Sequence, residues 1–132
     1  MSAENVELYK RGIDAFNRRD LEAFLTLAHP EVVAVSRVLA IEGGSYRGHD
    51  GVRDWWETLL DVFPDFTIEV VSVRDAGDVI VAELRNRAHG GGSETPLEEL
   101  VWQVAEWRDG QIVRWQMYGS EPEALEAAGL QE

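Results

Sequence analysis

The stretch from Leu100 to Leu130, LVWQVAEWRDGQIVRWQMYGSEPEALEAAGL, constrains the fold more than any other part of the chain. It reads as two strands joined by a tight turn and followed by a short capped helix. Asp109-Gly110 marks the turn, because glycine supplies the positive φ that hairpin turns need. A loop of Arg108-Asp109-Gly110, a type I turn closed by a glycine bulge, puts the odd positions of both strands on one face. That face carries Val101, Gln103, Ala105, Trp107, Val113, Trp115 and Met117, apolar except for one amide. A two-residue Asp109-Gly110 loop would instead set Trp102, Val104 and Glu106 beside Val113, Trp115 and Met117. The second arrangement buries a carboxylate, so the bulged register is preferred. An amide facing tryptophan and methionine is a candidate for orienting a ligand.

The remaining composition bounds the function. A chain of 132 residues is long enough for one domain with one substantial core, and 1–132 reads as a single domain. The formal net charge is −13, from 25 acidic and 12 basic side chains, which would repel nucleic acid and anionic membrane. Solubility alone accounts for such a surface. No cysteine is present, so disulfides, thiolate nucleophiles and zinc–thiolate sites are excluded. No basic, cleavable leader begins the chain and no apolar run approaches roughly 18 residues, so a cytoplasmic location is expected.

In chain order, Ser2 can cap a first helix with Val6, Tyr9, Ile13 and Phe16 as its apolar stripe. Asp20 starts a shorter helix carrying Leu21, Phe24, Leu25 and Ala28, ended by His29-Pro30. Glu31 to Leu39 is valine-rich and reads as a strand. Glu42 to Gly51 holds four glycines and reads as loop, with at most a short strand around Tyr46. A third helix spans Val52 to Phe63, with Val52, either Trp55 or Trp56, Leu59 and Phe63 inward. Phe66 to Arg74 and Val79 to His89 read as strands joined by a turn at Asp75 to Asp78, and Gly90 to Ser93 as a flexible tip. The last helix is the best punctuated: Ser120 and Glu123 form a capping box, Pro122 sits in the first turn, and Gly129 closes the end. Helices followed by a mostly antiparallel run of strands argue for α+β.

Four ordered blocks, ENVELYKRGIDAFNRRDLEAFLTLAHPEV, YRGHDGVRDWW, WRDGQIVRWQMY and EALEAAGL, resemble the SnoaL-like branch of the nuclear transport factor 2-like superfamily. The resemblance spans the whole chain. It implies a cone: a strongly curved mixed sheet wrapped around three helices, with a pocket in its mouth and a short C-terminal helix. Folds of this kind host polyketide cyclases, ketosteroid isomerases, epoxide hydrolases, dehydratases and pure binding proteins, so function must be argued from the site. In the isomerases a first-helix tyrosine and a late-strand carboxylic acid donate to the substrate oxyanion, while an aspartate on the first long strand moves the proton. Those positions fall on Gly12, Gln103 and Ser36, none of which has the required group. The cyclases of this branch place a histidine at Gln103 and an aspartate near Met117. The chain departs from both patterns.

Other residues do not supply the missing chemistry. Gln103 donates and accepts hydrogen bonds but does not shuttle a proton near neutral pH. Ser36 has no base partner identifiable in the sequence. Tyr46 and Tyr118 could aim phenols at a ligand, although half-buried tyrosines are ordinary in sheets. Glu83, Arg85 and Arg87 alternate along one strand and share a face. A solvated outer face is the favoured account of them, against a carboxylate–arginine pair at the pocket mouth. His29, His49 and His89 show no metal-ligand spacing, and no phosphate loop or dinucleotide fingerprint occurs, so neither metal nor cofactor is expected.

The expectation is therefore a protein that binds a small hydrophobic ligand in a mainly apolar pocket. Gln103, Trp107, Trp115, Met117, Ser36 and Trp56 are its expected lining, and no catalytic residue is assigned. The alternatives are an atypical enzyme of the cyclase, isomerase or epoxide hydrolase type, and a non-catalytic dimeric interaction module. The even face of the hairpin mixes Trp102, Val104, Ile112 and Tyr118 with Glu106, Arg114 and Gln116. A sheet wrapped around its own helices leaves that convex face without a second layer, which points to a homodimer through it.

Overall fold

Apolar residues recurring every three to four positions build the helices, and alternating ones build the strands. The computed structural model describes residues 2–35, 45–89 and 97–130. Helices α1 (Ser2–Asn17) and α2 (Leu21–Thr26) are followed by strands β1 (Ala28–Val35) and β2 (Ser45–Arg47), then helix α3 (Gly48–Val62). Strands β3 (Thr67–Asp75), β4 (Val79–Ala88), β5 (Leu97–Arg108) and β6 (Gln111–Tyr118) lead to helix α4 (Glu121–Ala127). The six strands form one curved, unclosed mixed sheet in the order β2-β1-β6-β5-β4-β3, parallel between β1 and β6 and antiparallel elsewhere. The expected α+β cone is the fold observed.

The concave face of the sheet holds the core. Tyr9, Ile13 and Phe16 from α1 meet Ile80, Ala82 and Leu84 from β4, Val101 and Ala105 from β5, and Trp115 from β6. The described part of the stretch expected to be loop is more regular than its glycines suggest. Gly48 begins α3 at φ 69°, and a Cβ on Gly51 would sit 3.0 Å from the Tyr46 backbone. Glycine there permits α3 to pack closely against β2, so the helix starts four residues earlier than its apolar stripe. Trp55 and Trp56 are both buried, at 5% and 6% exposure, which overturns the expectation that one faces away from the core. They lie about 100° apart on the helix, and α3 is covered over an arc wide enough to take both.

The hairpin reaches the expected facing by another route. Asp109 and Gly110 both have positive φ, 52° and 79°, and Arg108 pairs with Gln111. The loop is thus the two-residue type, whose twist matches that of the strands. A bulge then falls within β6, where Trp107 pairs with Ile112 but Glu106 pairs with Arg114, leaving Val113 as the extra residue. Beyond it Ala105 faces Trp115 and Gln103 faces Met117, so the odd positions share a face as expected, with each pair shifted by two residues from those a three-residue loop would give. Two residues change sides. Ile112 packs against the concave core, while Val113 lines a shallow hollow with Val79 and Glu106.

The outer face is also corrected. It has a second layer, because α4 folds back onto it and sets Ala124 and Leu125 against Val81 and Val104, with Trp102 and Tyr118 alongside. The Ser120 hydroxyl accepts from the Glu123 N–H at 3.4 Å, and Gly129 at φ 75° turns the chain out of the helix. Trp102 is therefore half-buried beneath a helix rather than bare at the centre of an open surface.

Side chains close one edge of the sheet. Asn17 at the end of α1 donates to the Ile68 carbonyl at 2.8 Å and accepts from the Ile68 N–H at 2.9 Å, as a further strand would. Arg19 donates to the carbonyls of Phe16, Pro64 and Phe66 at 3.1, 3.1 and 2.6 Å, tying the end of α1 to the chain entering β3.

Candidate functional site

Gln103 is the amide that alternation places among apolar neighbours, and it lies on the concave face at 7% exposure. Val101 and Ala105 flank it along β5, while Ala82 and Met117 lie across from it on β4 and β6. Such a group needs a partner, since an unpaired amide in apolar surroundings is costly. The partner is Tyr9, whose hydroxyl donates to Gln103 Oε1 at 2.5 Å. Burial raises the Tyr9 phenol above its ordinary value, so it stays protonated and acts as a donor.

Tyr9 is the residue that sequence reasoning missed. It stands one turn before Gly12, the position matched to the isomerase tyrosine, and was assigned to the core stripe of α1. The available signal was chemical: a buried phenol must place its hydroxyl somewhere. The bond also settles how the Gln103 carbonyl is satisfied, which is by a helix rather than by a neighbouring strand. The Nε2 donors of Gln103 are not used in that bond.

The other expected lining residues separate into two groups. Met117 is half-buried directly across from Gln103. Trp56 and Trp115 belong to an aromatic cluster formed by α2, α3 and β6. Phe24 joins them, with ring centroids 5.3 Å from Trp56 and 5.8 Å from Trp115, and Trp55 lies 5.5 Å from Trp115. Trp107 is buried toward the hairpin turn, and its indole Nε1 has no hydrogen-bond partner among the described residues. Ser36 lies outside the described residues, as does the tip at Gly90 to Ser93.

A second amide was not singled out at all. Asn86 on β4 is 1% exposed and shares the concave face with Leu84 and Ala88. Its Oδ1 has no hydrogen-bond partner among the described residues. A small apolar cavity of about 20 Å³ lies between α1 and the sheet, lined by Leu8, Gly12, Phe24, Leu27, Ala28, Ile112 and Trp115.

The charged and imidazole groups belong to other surfaces. Glu83, Arg85 and Arg87 are on the outer side of β4. Arg85 and Arg87 meet Glu69 at 3.1 and 3.4 Å and Glu98 at 3.8 and 3.5 Å, while Glu83 accepts from Ser72 at 3.2 Å. The solvated account holds and the pocket-mouth pair does not. His49 Nε2 contacts the Ala28 carbonyl at 2.8 Å, and His29 Nδ1 accepts from the Glu31 N–H at 3.0 Å. His89 pairs with Asp65 at 2.7 Å, and its backbone and ring hold the Asp65 carboxyl below the usual carboxylate range. Among the described residues no group of three or more histidines and carboxylates is arranged to hold a metal ion, and no helix is long and apolar enough to cross a membrane.

A curved mixed sheet closed over α1–α3, with a hydrogen-bonded helix–strand pair on its inner wall, defines a cone fold of the nuclear transport factor 2-like class. The SnoaL-like domain model matches residues 9–115, and the chain belongs to that family. A search of curated proteins finds no significant match. Among solved structures it is similar to a nuclear transport factor 2-like protein of unknown function from Burkholderia pseudomallei K96243, at 19% identity. That match covers 93% of this chain and 95% of the other, with a TM-score of 0.79. TerC, co-crystallised with polyporic acid, is 21% identical over 93% of this chain and 96% of its own, with a TM-score of 0.78. A putative SnoaL-like polyketide cyclase from Jannaschia sp. CCS1 is 17% identical over 96% and 92%, with a TM-score of 0.77. Identities this low establish a shared fold.

Proposed function

We propose that this SnoaL-like chain binds a small, largely hydrophobic molecule within the concave interior, oriented by the Gln103 amide. The observation that carries this reading is the buried Tyr9–Gln103 hydrogen bond on an otherwise apolar wall. The phenol holds the amide by its oxygen, so Nε2 is the end offered to a ligand carbonyl or hydroxyl. Met117, Trp107, Trp115 and Trp56 supply apolar surface in this reading. Co-crystallisation of the similarly folded TerC with polyporic acid supports small-molecule binding on this scaffold.

The test is a calorimetric and tryptophan-fluorescence titration with 4-acetylbiphenyl, a neutral aromatic ketone. Saturable binding that weakens about tenfold in Gln103→Leu, the equivalent of one buried hydrogen bond, is the expected result. Absence of binding to the wild type, or equal binding by the variant, would overturn the reading.

An enzyme of the cyclase, isomerase or hydrolase type is the second reading. The Tyr9–Gln103 bond favours it, because the phenol spends its proton on Oε1 and leaves the Gln103 Nε2 donors to stabilise a developing oxyanion. Against it, the concave neighbours Val101, Ala105, Ala82 and Met117 include no group able to move a proton. The proposal extends to a cytoplasmic homodimer, paired through the part of the convex face that α4 leaves open around Leu100, which is 41% exposed.

A further inference from the structure

Helix α4 covers only part of the convex face, and the strip it leaves across β6, β1 and β2 carries cations on an otherwise acidic protein. Val81, Val104, Gln116, Val35 and Ser45 form one row across β4, β5, β6, β1 and β2. Glu106, Arg114, Val33 and Arg47 form the next. Ala124 and Leu125 of α4 sit on Val81 and Val104, whereas Val33 and Val35 are half-buried and belong to neither apolar cluster of the described residues. Val32 and Ala34 are fully buried on the concave side, so alternation turns Val33 and Val35 outward. Arg47 and Arg114 flank Val33 from the two adjoining strands, about 10 Å apart at their Cα atoms. Arg47 is exposed and makes no ion pair among the described residues. Arg114 donates to Gln116 Oε1 at 2.7 Å and stands 3.7 Å from Glu106, which leaves further guanidinium donors for an acid from outside.

The outer side of α4 carries such acids. At about 100° per residue, Glu123 and Glu126 each lie about 150° from the buried side marked by Ala124 and Leu125, and both are exposed. Glu123 suits the start of the helix. Glu126 stands in the last turn, where a carboxylate meets the negative end of the helix dipole and is unfavourable. It makes no ion pair among the described residues that would offset this. The middle of the strip, β1, lies two to three strands from the line between β4 and β5 beneath α4, about 12 Å at normal strand spacing. That is about the width of one helix with its side chains, so a second helix fits on the strip beside α4.

We infer that the strip of Val33, Val35, Arg47 and Arg114 receives the outer side of α4 from a second copy of this chain. The inference rests on the proposed homodimer and names the contact that holds it. Two convex faces opposed about a two-fold axis place both α4 helices side by side in one layer between the sheets. Each helix keeps its apolar side on its own sheet and turns its acids toward the other copy's arginines, so the contact is made twice. Charge selects this occupant. With 25 acidic and 12 basic side chains per chain, two copies repel each other except where the acids of one meet the cations of the other.

Two variants test the inference by sedimentation, each checked for an unchanged circular dichroism spectrum. Arg47→Glu with Arg114→Glu makes the strip acidic, and Glu123→Lys with Glu126→Lys makes the helix basic. Either variant alone sets like charges together at both contacts, and its dimer dissociation constant rises about tenfold or more. Mixed in equal amounts, the two bring opposite charges together at both contacts and form a heterodimer about as tight as the wild-type dimer. Should two lysines unwind α4, Glu126→Lys and Arg114→Glu are mixed instead, since a cation suits the last turn of a helix. Variants that pair with themselves as wild type does, or a mixture that forms no heterodimer, would overturn the inference. A wild-type dimer that Leu100→Arg weakens, but that ignores the charges of strip and helix, keeps the homodimer and removes this contact. A wild-type monomer removes both.

Discussion

The Tyr9 hydroxyl donates to Gln103 Oε1 at 2.5 Å, joining helix α1 to strand β5 across 94 positions of sequence. Both residues are buried, so the bond is shielded from competing water. It fixes the face of α1 that meets the sheet and the end of the amide that points away from the helix. Structure and proposed recognition therefore depend on the same atoms.

Tyr9→Phe removes the donor and leaves a buried carbonyl unpaired, at a cost of about 1–3 kcal/mol. The same residue sets a pH dependence. Its folded-state pKa is raised above the ordinary 10.0 by burial, so the folded protein holds that proton more tightly than the unfolded chain. The resulting stabilisation is fully present below pH 10.0 and declines above it, by about 1.4 kcal/mol per pH unit. Denaturant unfolding of wild type and Tyr9→Phe between pH 9 and 11, approximately, is the check. The expected result is a shallower alkaline decline in the variant; parallel declines would show that Tyr9 ionises as freely in the folded state.

Gly12→Ala should stabilise the protein. A Cβ there meets Leu27 Cδ1 at 3.5 Å, an ordinary contact, and enters the small cavity beside Phe24 and Trp115. Alanine is favoured over glycine within a helix by about 1 kcal/mol. A higher thermal midpoint is expected, and a lower one would mean that α1 cannot accept the methyl group where it packs on Leu27.

Asn17→Ala removes both side-chain bonds to the Ile68 backbone and uncovers the β3 edge. About 1–3 kcal/mol of destabilisation is expected, together with faster aggregation on heating, because a bare strand edge recruits other strands. Light scattering during a thermal ramp separates these effects. Unchanged scattering with a lowered midpoint would leave Asn17 with a stabilising role alone.

Much of this architecture is legible in the chain. Alternation in β5 assigns Gln103 to the inner face, and the Ser120, Pro122 and Gly129 signals outline α4 well. The misreadings have a common cause, since each turned on what packs against an element rather than on the element itself. A three-residue loop predicts the hairpin facing, whereas the same facing arises, with different partners, from a two-residue turn and a bulge at Val113. No local pattern marks which strand residue will be doubled. Periodicity likewise allowed one inward tryptophan at Trp55-Trp56, because it does not see how widely a helix is covered. The bare outer face was wrong because α4 returns over Val81 and Val104. Tyr9 and Asn86 escaped notice because their meaning lies in a partner present for one and missing, among the described residues, for the other.

Leu100→Arg tests the proposed homodimer while sparing the layer beneath α4. Leu100 is exposed, unlike the half-buried Trp102, so a charge there disturbs association before folding. Sedimentation should show a wild-type dimer at micromolar concentration and a variant shifted toward monomer with an unchanged circular dichroism spectrum. A wild-type monomer would remove the dimer from the account.

The most direct measurement of the binding reading is the nuclear magnetic resonance signal of the Gln103 side-chain amide during titration with 4-acetylbiphenyl. A ligand carbonyl accepting from Nε2 shifts the two Gln103 NH₂ resonances saturably, together with the Trp107 and Trp115 indole signals, and leaves the outward-facing Arg85 and Arg87 signals in place. Saturable shifts confined to the outer face, with the Gln103 amide unmoved, would contradict the account.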